Sequence, residues 1–224
     1  MNSGGFTAIP GHIGVIPDGN RRWAEAHGLP KHVGYAYGLA PALELMESCA
    51  ELGISEMTFY GFTHDNTKRA TVQRKAFQQA CIEAVHRLSR LDVELLVVGD
   101  TDSRMFPSEL TEFTRRRRFG RGGMKVNLLV NYSWQWDLNQ ALSSHNGRRL
   151  SVNDRQLMGL GSEDVSRIDL VIRWGGRRRL SGFLPIQTVY ADLCVIEALW
   201  PDYERQHLET AMEWYQVQDV TLGG

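Results

Sequence analysis

The sequence predicts an α/β fold with a mostly parallel central sheet flanked by helices, and three observations support this prediction. Short apolar runs rich in β-branched residues alternate with longer segments that carry apolar residues at helical spacing. Such alternation is typical of parallel strands joined by crossover helices. The chain has 224 residues and contains no repeat or low-complexity linker, so we expect a single domain spanning 1–224.

Five runs are predicted as strands because they are apolar or β-rich and end at polar or turn-forming residues. These are residues 13–16, 56–62, 93–98, 125–131 and 170–173. Another apolar segment follows at 190–196.

Helices are predicted where apolar residues recur every three or four positions. The predicted helices are residues 22–27, 34–52, 71–91 and 202–216, with a short helix from 107 to about 117 and another that includes 138–142. Residues 151–163 are polar and are predicted as partly helical. Gly28 and Gly53 follow two of these segments as stop signals.

Composition limits the possible functions. Hydrophobic residues make up 42% of the chain and charged residues 23%, which is ordinary for a soluble globular protein. The net charge of −1 creates no overall field for nucleic acid or a membrane, so any anion site must be local. Cys49, Cys81 and Cys194 lack metal-ligand spacing, and we expect reduced thiols in a cytoplasmic protein. No apolar run is long enough to span a bilayer, which predicts no stable membrane insertion.

The most informative stretch lies where the first predicted strand gives way to a helix. It reads His-Ile-Gly-Val-Ile-Pro-Asp-Gly-Asn-Arg-Arg-Trp at residues 12–23. Backbone N–H groups together with Arg21 and Arg22 favour an anion at this turn. Asp18 suits a diphosphate only if Mg²⁺ lies between them, because Mg²⁺ binds one or two carboxylates together with phosphate oxygens. The spacing alone leaves a second interpretation open, in which Asp18 caps the helix and the arginines are solvated.

Two further loops follow predicted strands and belong at the same edge of the sheet. Residues 61–69 read Gly-Phe-Thr-His-Asp-Asn-Thr-Lys-Arg, and such polar groups can orient a diphosphate and relay a proton. Residues 172–181 read Ile-Arg-Trp-Gly-Gly-Arg-Arg-Arg-Leu-Ser, in which four arginines and a hydroxyl surround two glycines. Arginine forks match phosphate oxygens, and glycines allow the backbone to approach a ligand closely. A solvated polar loop is the alternative for each.

The arginine run at residues 115–118 is a separate feature. It has no glycines around it and no predicted strand before it. Because nucleic-acid patches usually interleave aromatic residues with the basic ones, this run favours a solvated helix end, and we expect no nucleic-acid partner.

The 12–23 stretch, with Gly-Leu-Pro-Lys at 28–31 and Gly34, resembles the first signature of the cis-prenyltransferases, the undecaprenyl diphosphate synthase-like enzymes. The similarity continues in order to Trp-Pro-Asp at 200–202, so it covers nearly the whole chain. This resemblance implies isoprenyl diphosphate substrates, Mg²⁺ as the cofactor and a homodimer.

The resemblance also implies roles for individual residues. Loop 61–69 matches the family element Ser-x-Glu-Asn-Trp-x-Arg through Thr63, Asp65, Asn66 and Arg69, with Thr67 in place of the tryptophan. Loop 172–181 matches Arg-x-Gly-Gly-x-x-Arg-x-Ser, which resembles the clamp on the acceptor diphosphate. The implied catalytic residues are Asp18, Asn66 and Thr63. The implied substrate-binding residues are Gly19, Asn20, Arg21, Arg22, Trp23, Lys31, Tyr35, Arg69, Arg173, Arg179 and Ser181. The implied metal ligands are Asp18 and Asp192.

Several departures from the usual family pattern indicate a particular branch. Pro17 replaces a methionine, Tyr35 stands where many members have a histidine, Arg177 replaces a glutamate, and Pro185 lies in a usually aliphatic run. Of these departures, Pro17, Arg177 and Pro185 resemble the irregular lavandulyl- and isosesquilavandulyl-type synthases. That resemblance implies head-to-middle joining of an allylic diphosphate, dimethylallyl or geranyl, to dimethylallyl diphosphate.

Three alternative functions are compatible with the sequence. The first is a short-chain synthase that adds isopentenyl diphosphate head-to-tail. The second is a non-catalytic partner subunit, which the presence of Asp18 and of the arginine loop disfavours. The third is a nucleic-acid binder built on residues 115–118, which would bind with steep salt dependence.

Overall fold

The structure is a computed structural model that describes residues 5–144 and 159–218. Within these residues the centre is a seven-stranded sheet. Its strands are β1 (His12–Ile16), β2 (Glu56–Tyr60), β3 (Val93–Val98), β4 (Arg117–Arg118), β5 (Met124–Leu129), β6 (Leu170–Arg173) and β7 (Asp192–Val195). Their order across the sheet is β4-β3-β5-β2-β1-β6-β7. Every neighbouring pair is parallel except β3 with β4, which confirms the predicted fold class.

The described part of the chain contains six α-helices. They are α1 (Asn20–Ala26), α2 (Gly34–Tyr37), α3 (Leu39–Glu51), α4 (Thr71–Leu88), α5 (Trp134–Ser144) and α6 (Arg205–Gln216). Short 3-10 helices lie at His64–Lys68, Ser108–Phe113 and Trp200–Asp202. None of the helices in the described ranges combines the length and apolarity needed to cross a bilayer.

The core lies on both faces of the sheet, and the strands supply it by alternation. In β6, Leu170 and Ile172 join the cluster that includes buried residues of α3, α4 and α6, whereas Val171 joins the cluster on the other face. Strands buried on both faces are nearly continuous apolar runs, which is why they were recognisable without polar alternation. The single-domain organisation stays a prediction.

The predicted helix over 34–52 is interrupted at Gly38, which separates α2 from α3. Trp200 Nε1 donates a hydrogen bond of 2.9 Å to the Gly38 carbonyl. A Cβ at Gly38 would also contact the Trp200 ring and the Asn20 side chain. The break therefore comes from a tertiary contact, which helical periodicity cannot reveal.

The predicted helix over 107–117 is also wrong in its second half. A 3-10 helix at Ser108–Phe113 is followed by β4, which pairs antiparallel with β3 at the edge of the sheet. Arg116 donates hydrogen bonds to the Asn127 side chain at 2.8 Å and to the Glu94 carbonyl at 3.2 Å. At least this arginine of the basic run serves packing inside the protein, and the absence of nucleic-acid binding stays a prediction. Of the segment 151–163, residues 151–158 lie outside the described residues and 159–163 form turns.

A buried polar network ties the segment before β6 to the amino end of the sheet. His12 Nε2 lies 2.8 Å from Thr58 Oγ1, and His12 Nδ1 lies 3.0 Å from Ser166 Oγ. Asn127 donates to both Glu56 and Thr58 at 2.8 Å. Because buried polar groups are costly without partners, this network fixes the position of the segment that leads into β6.

We expect this network to make stability depend on pH. Burial lowers the pKa of His12 below its ordinary 6.5, although Glu56 opposes the shift. As the pH falls through 6.5, His12 is therefore protonated more readily in the unfolded state than in the native state, so the free energy of unfolding falls. Between about pH 7.5 and about pH 5.5 we therefore expect His12 to contribute to a loss of stability as the pH falls, measured by urea unfolding. His12→Asn should lose less stability than the parent chain over this range, and an equal loss would contradict the assignment.

Candidate active site

An open cavity of about 480 Å³ lies at the carboxyl edge of the sheet, next to the adjacent ends of β2, β1 and β6. Its cationic wall residues are Arg21, Arg22, Lys31, Arg69, Arg173, Arg177 and Arg179. Its acidic wall residues are Asp18, Glu25 and Asp65. The other polar or aromatic wall residues are Asn20, Tyr35, Tyr60, Thr63, Asn66, Phe77 and Ser181. Cations outnumber acids here although the whole chain carries a net charge of −1, so the cavity favours an anion.

All residues predicted for the site line this cavity except Trp23 and Asp192. The acidic turn after β1 and the arginine loop after β6 therefore meet, as the sequence predicted. Their contact is direct, because Arg173 Nη2 lies 2.8 Å from Asp18 Oδ2. The chemical roles of these residues remain predictions.

The turn after β1 presents the Asp18 carboxylate to two guanidinium groups. Oδ2 accepts from Arg173, and Oδ1 lies 3.5 Å from Arg22 Nη2. Gly19, in the left-handed region at φ 118°, is the N-cap residue of α1, so the Asp18 carboxylate is not the cap. The Asp18 carbonyl accepts from the Trp200 amide at 3.0 Å, which fixes the turn against the chain after β7. The alternative in which Asp18 caps the helix is therefore wrong.

Arg173, the last residue of β6, is almost fully buried and holds the arginine loop together. Nη1 donates to Ser181 Oγ at 3.0 Å and to the Arg179 carbonyl. Nη2 donates to Asp18, whereas the buried Nε has no hydrogen-bond partner among the described residues. One N–H group of a guanidinium facing an anion-attracting cavity is therefore left unused.

Loop 61–69 builds the wall next to β2. The Thr63 amide donates to Asn66 Oδ1 at 3.0 Å, and the Asn66 amide donates to the Thr63 carbonyl at 2.9 Å. These reciprocal bonds start the 3-10 helix and fix the two side chains relative to each other. Both residues line the cavity, so the geometry permits the predicted hydrogen-bonding roles.

Arg69 and two aromatic rings form the boundary of the cavity on the side of α2 and α4. Arg69 Nη1 donates to the Tyr35 hydroxyl at 2.7 Å, and its guanidinium carbon lies 5.7 Å from the centre of the Phe77 ring. The Tyr35 and Phe77 rings stack with centroids 4.5 Å apart. Burial lowers the pKa of Arg69, and the nearby Arg21 adds to the shift. An arginine nevertheless stays protonated at neutral pH, so the boundary carries a fixed positive charge.

A second, apolar recess adjoins the polar cavity. It has a volume of about 70 Å³ and lies between α3, α4 and the sheet. Tyr35 and Phe77 line both spaces, and the recess continues along α4 past Ala80 and Ala84 to Leu88. A strongly cationic cavity thus borders a narrow apolar one.

Trp23 and Asp192 lie outside the cavity for separate reasons. Trp23 Nε1 donates to Asp202 Oδ1 at 2.6 Å and its ring stacks on His27, so it joins α1 to the 3-10 helix Trp200–Asp202. Asp192 begins β7, and its register partner is Leu170, which pairs with Ile13 at the amino side of β1. Three residues of strand, about 10 Å, separate that level from the carboxyl edge. Asp18 and Asp192 therefore do not share a site within this chain.

Some wall residues were missed by the sequence reasoning. Tyr60, the last residue of β2, donates its hydroxyl to the Ser181 carbonyl at 2.8 Å and so bridges two loops. Burial raises the pKa of Tyr60, so the hydroxyl stays protonated at neutral pH. Phe77 reaches the site from the middle of a chain segment assigned only to a helix face. The position of Tyr60 at the end of a strand could have indicated that it belongs to the site, whereas no sequence pattern indicated this for Phe77.

A family model described as "Putative undecaprenyl diphosphate synthase" matches residues 16–223. The chain belongs to the cis-prenyltransferase family. It is accordingly a prenyltransferase of the cis-prenyl, undecaprenyl diphosphate synthase type, and isoprenyl diphosphate substrates fit the cationic cavity beside an apolar recess.

Relatives in this family match over almost their whole length. An isoprenyl transferase of Chromobacterium violaceum is 30% identical, covering 100% of this chain and 94% of the relative. The ditrans,polycis-undecaprenyl-diphosphate synthase ((2E,6E)-farnesyl-diphosphate specific) of Escherichia coli K12 is also 30% identical, covering 95% and 89%. The crystal structure of lavandulyl diphosphate synthase from Lavandula x intermedia in complex with dimethylallyl diphosphate has the same fold, with a TM-score of 0.80 at 21% identity and coverage of 96% and 99%.

The donor set of this cis-prenyltransferase fits Mg²⁺ only together with a substrate. The described residues contain no group of three or more His, Cys, Asp or Glu side chains that could hold a metal ion alone. Asp18, about one-third exposed, is a cavity carboxylate surrounded by guanidinium groups. Mg²⁺ is usually bound by one or two carboxylates and substrate phosphates while it keeps several waters, so one carboxylate beside a diphosphate site suits it.

Proposed function

We propose that this cis-prenyltransferase joins an allylic diphosphate to dimethylallyl diphosphate in a head-to-middle reaction and releases diphosphate. The observation that carries the proposal is the contact between the acidic turn and the arginine loop inside one cationic cavity, at the mouth of a small apolar recess. Arg177, which lines the cavity, and Pro185 depart from the chain-elongating pattern and so favour the irregular branch. The shared fold with a lavandulyl diphosphate synthase bound to dimethylallyl diphosphate is consistent with this choice.

The residues divide into two diphosphate-binding groups. Arg173, Arg179 and Ser181, which line the cavity, would hold the acceptor diphosphate with a guanidinium fork and a hydroxyl. Arg69 contacts Tyr35 and Phe77, which line both the cavity and the recess, and Lys31 also lines the cavity. These two cations would hold the allylic diphosphate, with its prenyl chain in the recess. Asp18 would hold Mg²⁺, which when bound supplies Lewis-acid stabilisation of the leaving diphosphate.

Catalysis by this arrangement is mainly positioning and electrostatic stabilisation. The guanidinium groups stabilise the negative charge that grows on the departing diphosphate. The acceptor double bond attacks the electron-poor allylic carbon, and a proton is then lost from the acceptor. Thr63 and Asn66, fixed against each other, are candidates to relay that proton, and the released diphosphate is a third.

The recess favours a short allylic donor. A cavity of roughly 150 Å³ holds one six-carbon benzene molecule, so a recess of about 70 Å³ holds no more than a single five-carbon unit. A geranyl chain would need the ring of Phe77 or the floor of the recess to move. The proposed donors are therefore dimethylallyl diphosphate or, with such movement, geranyl diphosphate.

Phe77→Ala should change the choice of donor. Removing the ring widens the recess where it meets the polar cavity, so the ratio of kcat/KM for geranyl over dimethylallyl diphosphate should rise about tenfold. Steady-state kinetics with each donor measure the ratio, which is insensitive to a partial loss of folded protein. Val72→Ala, an exposed change on the same helix, should leave the ratio unchanged. An unchanged ratio in Phe77→Ala would contradict this role.

A second candidate function is head-to-tail addition of isopentenyl diphosphate. It is favoured by the relatives that are named undecaprenyl-diphosphate synthases and align along nearly all of this chain. Pyrophosphate release from dimethylallyl or geranyl diphosphate, measured with and without isopentenyl diphosphate, separates the two. Release without isopentenyl diphosphate supports the head-to-middle proposal, whereas a strict requirement for it supports the second candidate.

We also propose a homodimer and a cytoplasmic location. Ile186, Val189 and Tyr190 are exposed apolar residues just before the edge strand β7, and such a patch suits a second copy of the chain. Light scattering should give about twice the mass of one chain, and a monomer would contradict the dimer.

The cytoplasmic location rests on three free, buried cysteine thiols.

A further inference from the structure

One ion pair in the cavity joins two residues that the proposed function assigns to different ligands. Arg173 is placed on the acceptor diphosphate and Asp18 on the cation, yet Arg173 Nη2 donates to Asp18 Oδ2 at 2.8 Å. The Arg173 side chain is 5% exposed and that of Asp18 is 34% exposed. Because the pair is partly desolvated, it is held more firmly than an exposed ion pair.

We propose that Asp18 and Arg173 form a latch in the ligand-free protein, and that a bound diphosphate opens it by taking Arg173 away from Asp18. Opening frees the Asp18 carboxylate for a divalent cation. This inference rests on the proposed function and adds an order of ligand binding to it. The Asp18 carboxylate becomes available to the cation only when the acceptor diphosphate binds.

The unused nitrogen of Arg173 shows how the latch can open. Its Nε is buried and has no partner in the described structure, whereas Nη1 stays anchored to Ser181 and to the Arg179 carbonyl. Nε and Nη2 form one edge of the guanidinium fork, the edge that matches two oxygens of a phosphate. Diphosphate on this edge would satisfy Nε for the first time and would replace Asp18 at Nη2. The hydrogen bond gained at Nε offsets part of the loss of the ion pair.

The latch makes the binding of the diphosphate and of the divalent cation positively cooperative. Each one alone must break the Asp18–Arg173 contact, and the second then binds without that cost. Thermodynamic linkage requires this coupling to be reciprocal. The latch also has a consequence without any metal, because a chain in which Asp18 cannot hold Arg173 should bind diphosphate more tightly.

The test is calorimetric titration with inorganic pyrophosphate in EDTA. Asp18→Asn should bind pyrophosphate about tenfold more tightly than the parent chain, since an amide cannot form the ion pair. Removing any negative charge from the cavity favours an anion, so the control is Glu25→Gln. Glu25 also lines the cavity and pairs with a cation, Lys31 at 2.9 Å, but that pair is about half exposed and contributes little. The gain in Asp18→Asn should therefore exceed the gain in Glu25→Gln several-fold.

A double-mutant cycle tests whether the gain acts through Arg173. In an Arg173→Gln background, Asp18→Asn should give no larger gain than Glu25→Gln does. Circular dichroism checks that each variant folds. If Arg173→Gln does not fold, Arg173→Met replaces it, because methionine is a flexible, uncharged side chain that cannot form an ion pair with Asp18.

The outcomes separate the latch from the function on which it rests. Equal gains in Asp18→Asn and Glu25→Gln, or a gain that persists undiminished without Arg173, would overturn the latch and leave the proposed function standing. A parent chain that binds no pyrophosphate, even with Mg²⁺, would contradict both. Binding to the parent chain can also be followed by NMR. The signal of the Arg173 Nε–H group, assigned by its loss in Arg173→Lys, should shift when pyrophosphate is added. An unshifted signal at saturating pyrophosphate would also overturn the latch.

Discussion

Asp18→Ala should lower kcat/KM about a thousandfold while the protein stays folded. The carboxylate is the proposed cation ligand and the contact that joins the acidic turn to Arg173, so its loss removes charge stabilisation of the leaving diphosphate. The backbone of the turn should persist, because the Asp18 carbonyl still accepts from the Trp200 amide. Pyrophosphate release at several Mg²⁺ concentrations measures the activity, and thermal unfolding measures the fold.

Two controls make this result specific. Asp18→Asn keeps the size of the side chain but removes its charge, and it should be nearly as inactive for that reason. Asp65→Asn removes another cavity carboxylate, one paired with Lys68 at 2.7 Å and mostly exposed, and it should retain most activity. Near-normal turnover of Asp18→Ala with added Mg²⁺ would show that Asp18 is not the cation ligand.

Gly34→Ala should destabilise the protein by about 3 kcal/mol and reduce activity with it. A Cβ at Gly34 would fall well inside contact distance of the Asn20 carbonyl oxygen and close to the Ala24 side chain. That carbonyl belongs to backbone and cannot rotate away, so α2 must separate from α1. Because α1 and α2 carry Arg22 and Tyr35 into the cavity, the shift also disturbs the site.

Gly28→Ala is the matched control. Gly28 has φ 68°, so alanine is strained there, but a Cβ would have no heavy atom within 4 Å. We expect a loss of about 1 kcal/mol in urea unfolding and no clash. Gly34 has no positive φ, so the contact with Asn20 is the expected source of its larger loss, and equal losses for the two variants would contradict that contact as the cause.

Much of the sheet and of the site was predictable because both depend on local patterns. Buried parallel strands are apolar runs that end abruptly, and the residues after them share one edge of the sheet. That rule predicts that Asp18, Arg173 and the loop after β2 lie at one edge of the sheet, whereas the choice of Asn66 within that loop came from the family resemblance. The family resemblance added Lys31 and Tyr35, which lie away from strand ends.

The errors arose where long-range contacts decide. Trp200 interrupts the helix at Gly38 from a distance of 162 residues along the chain, and no local pattern reports such a contact. The position of Asp192 depends on the register of β7, because a strand that is shifted along its neighbour moves its ends relative to the site. The direct Asp18–Arg173 contact also depends on tertiary packing. The sequence therefore indicated that the two loops lie at one edge of the sheet, but not that Arg173 forms an ion pair with Asp18.

Analysis of the product formed from dimethylallyl diphosphate alone tests the central claim most directly. The purified chain is incubated with this substrate and Mg²⁺, the product is dephosphorylated, and its carbon skeleton is determined by mass spectrometry and NMR. The proposed function predicts a branched ten-carbon alcohol without any isopentenyl diphosphate, and its absence in Asp18→Ala. Product that forms only with isopentenyl diphosphate and has a linear skeleton would contradict the head-to-middle assignment.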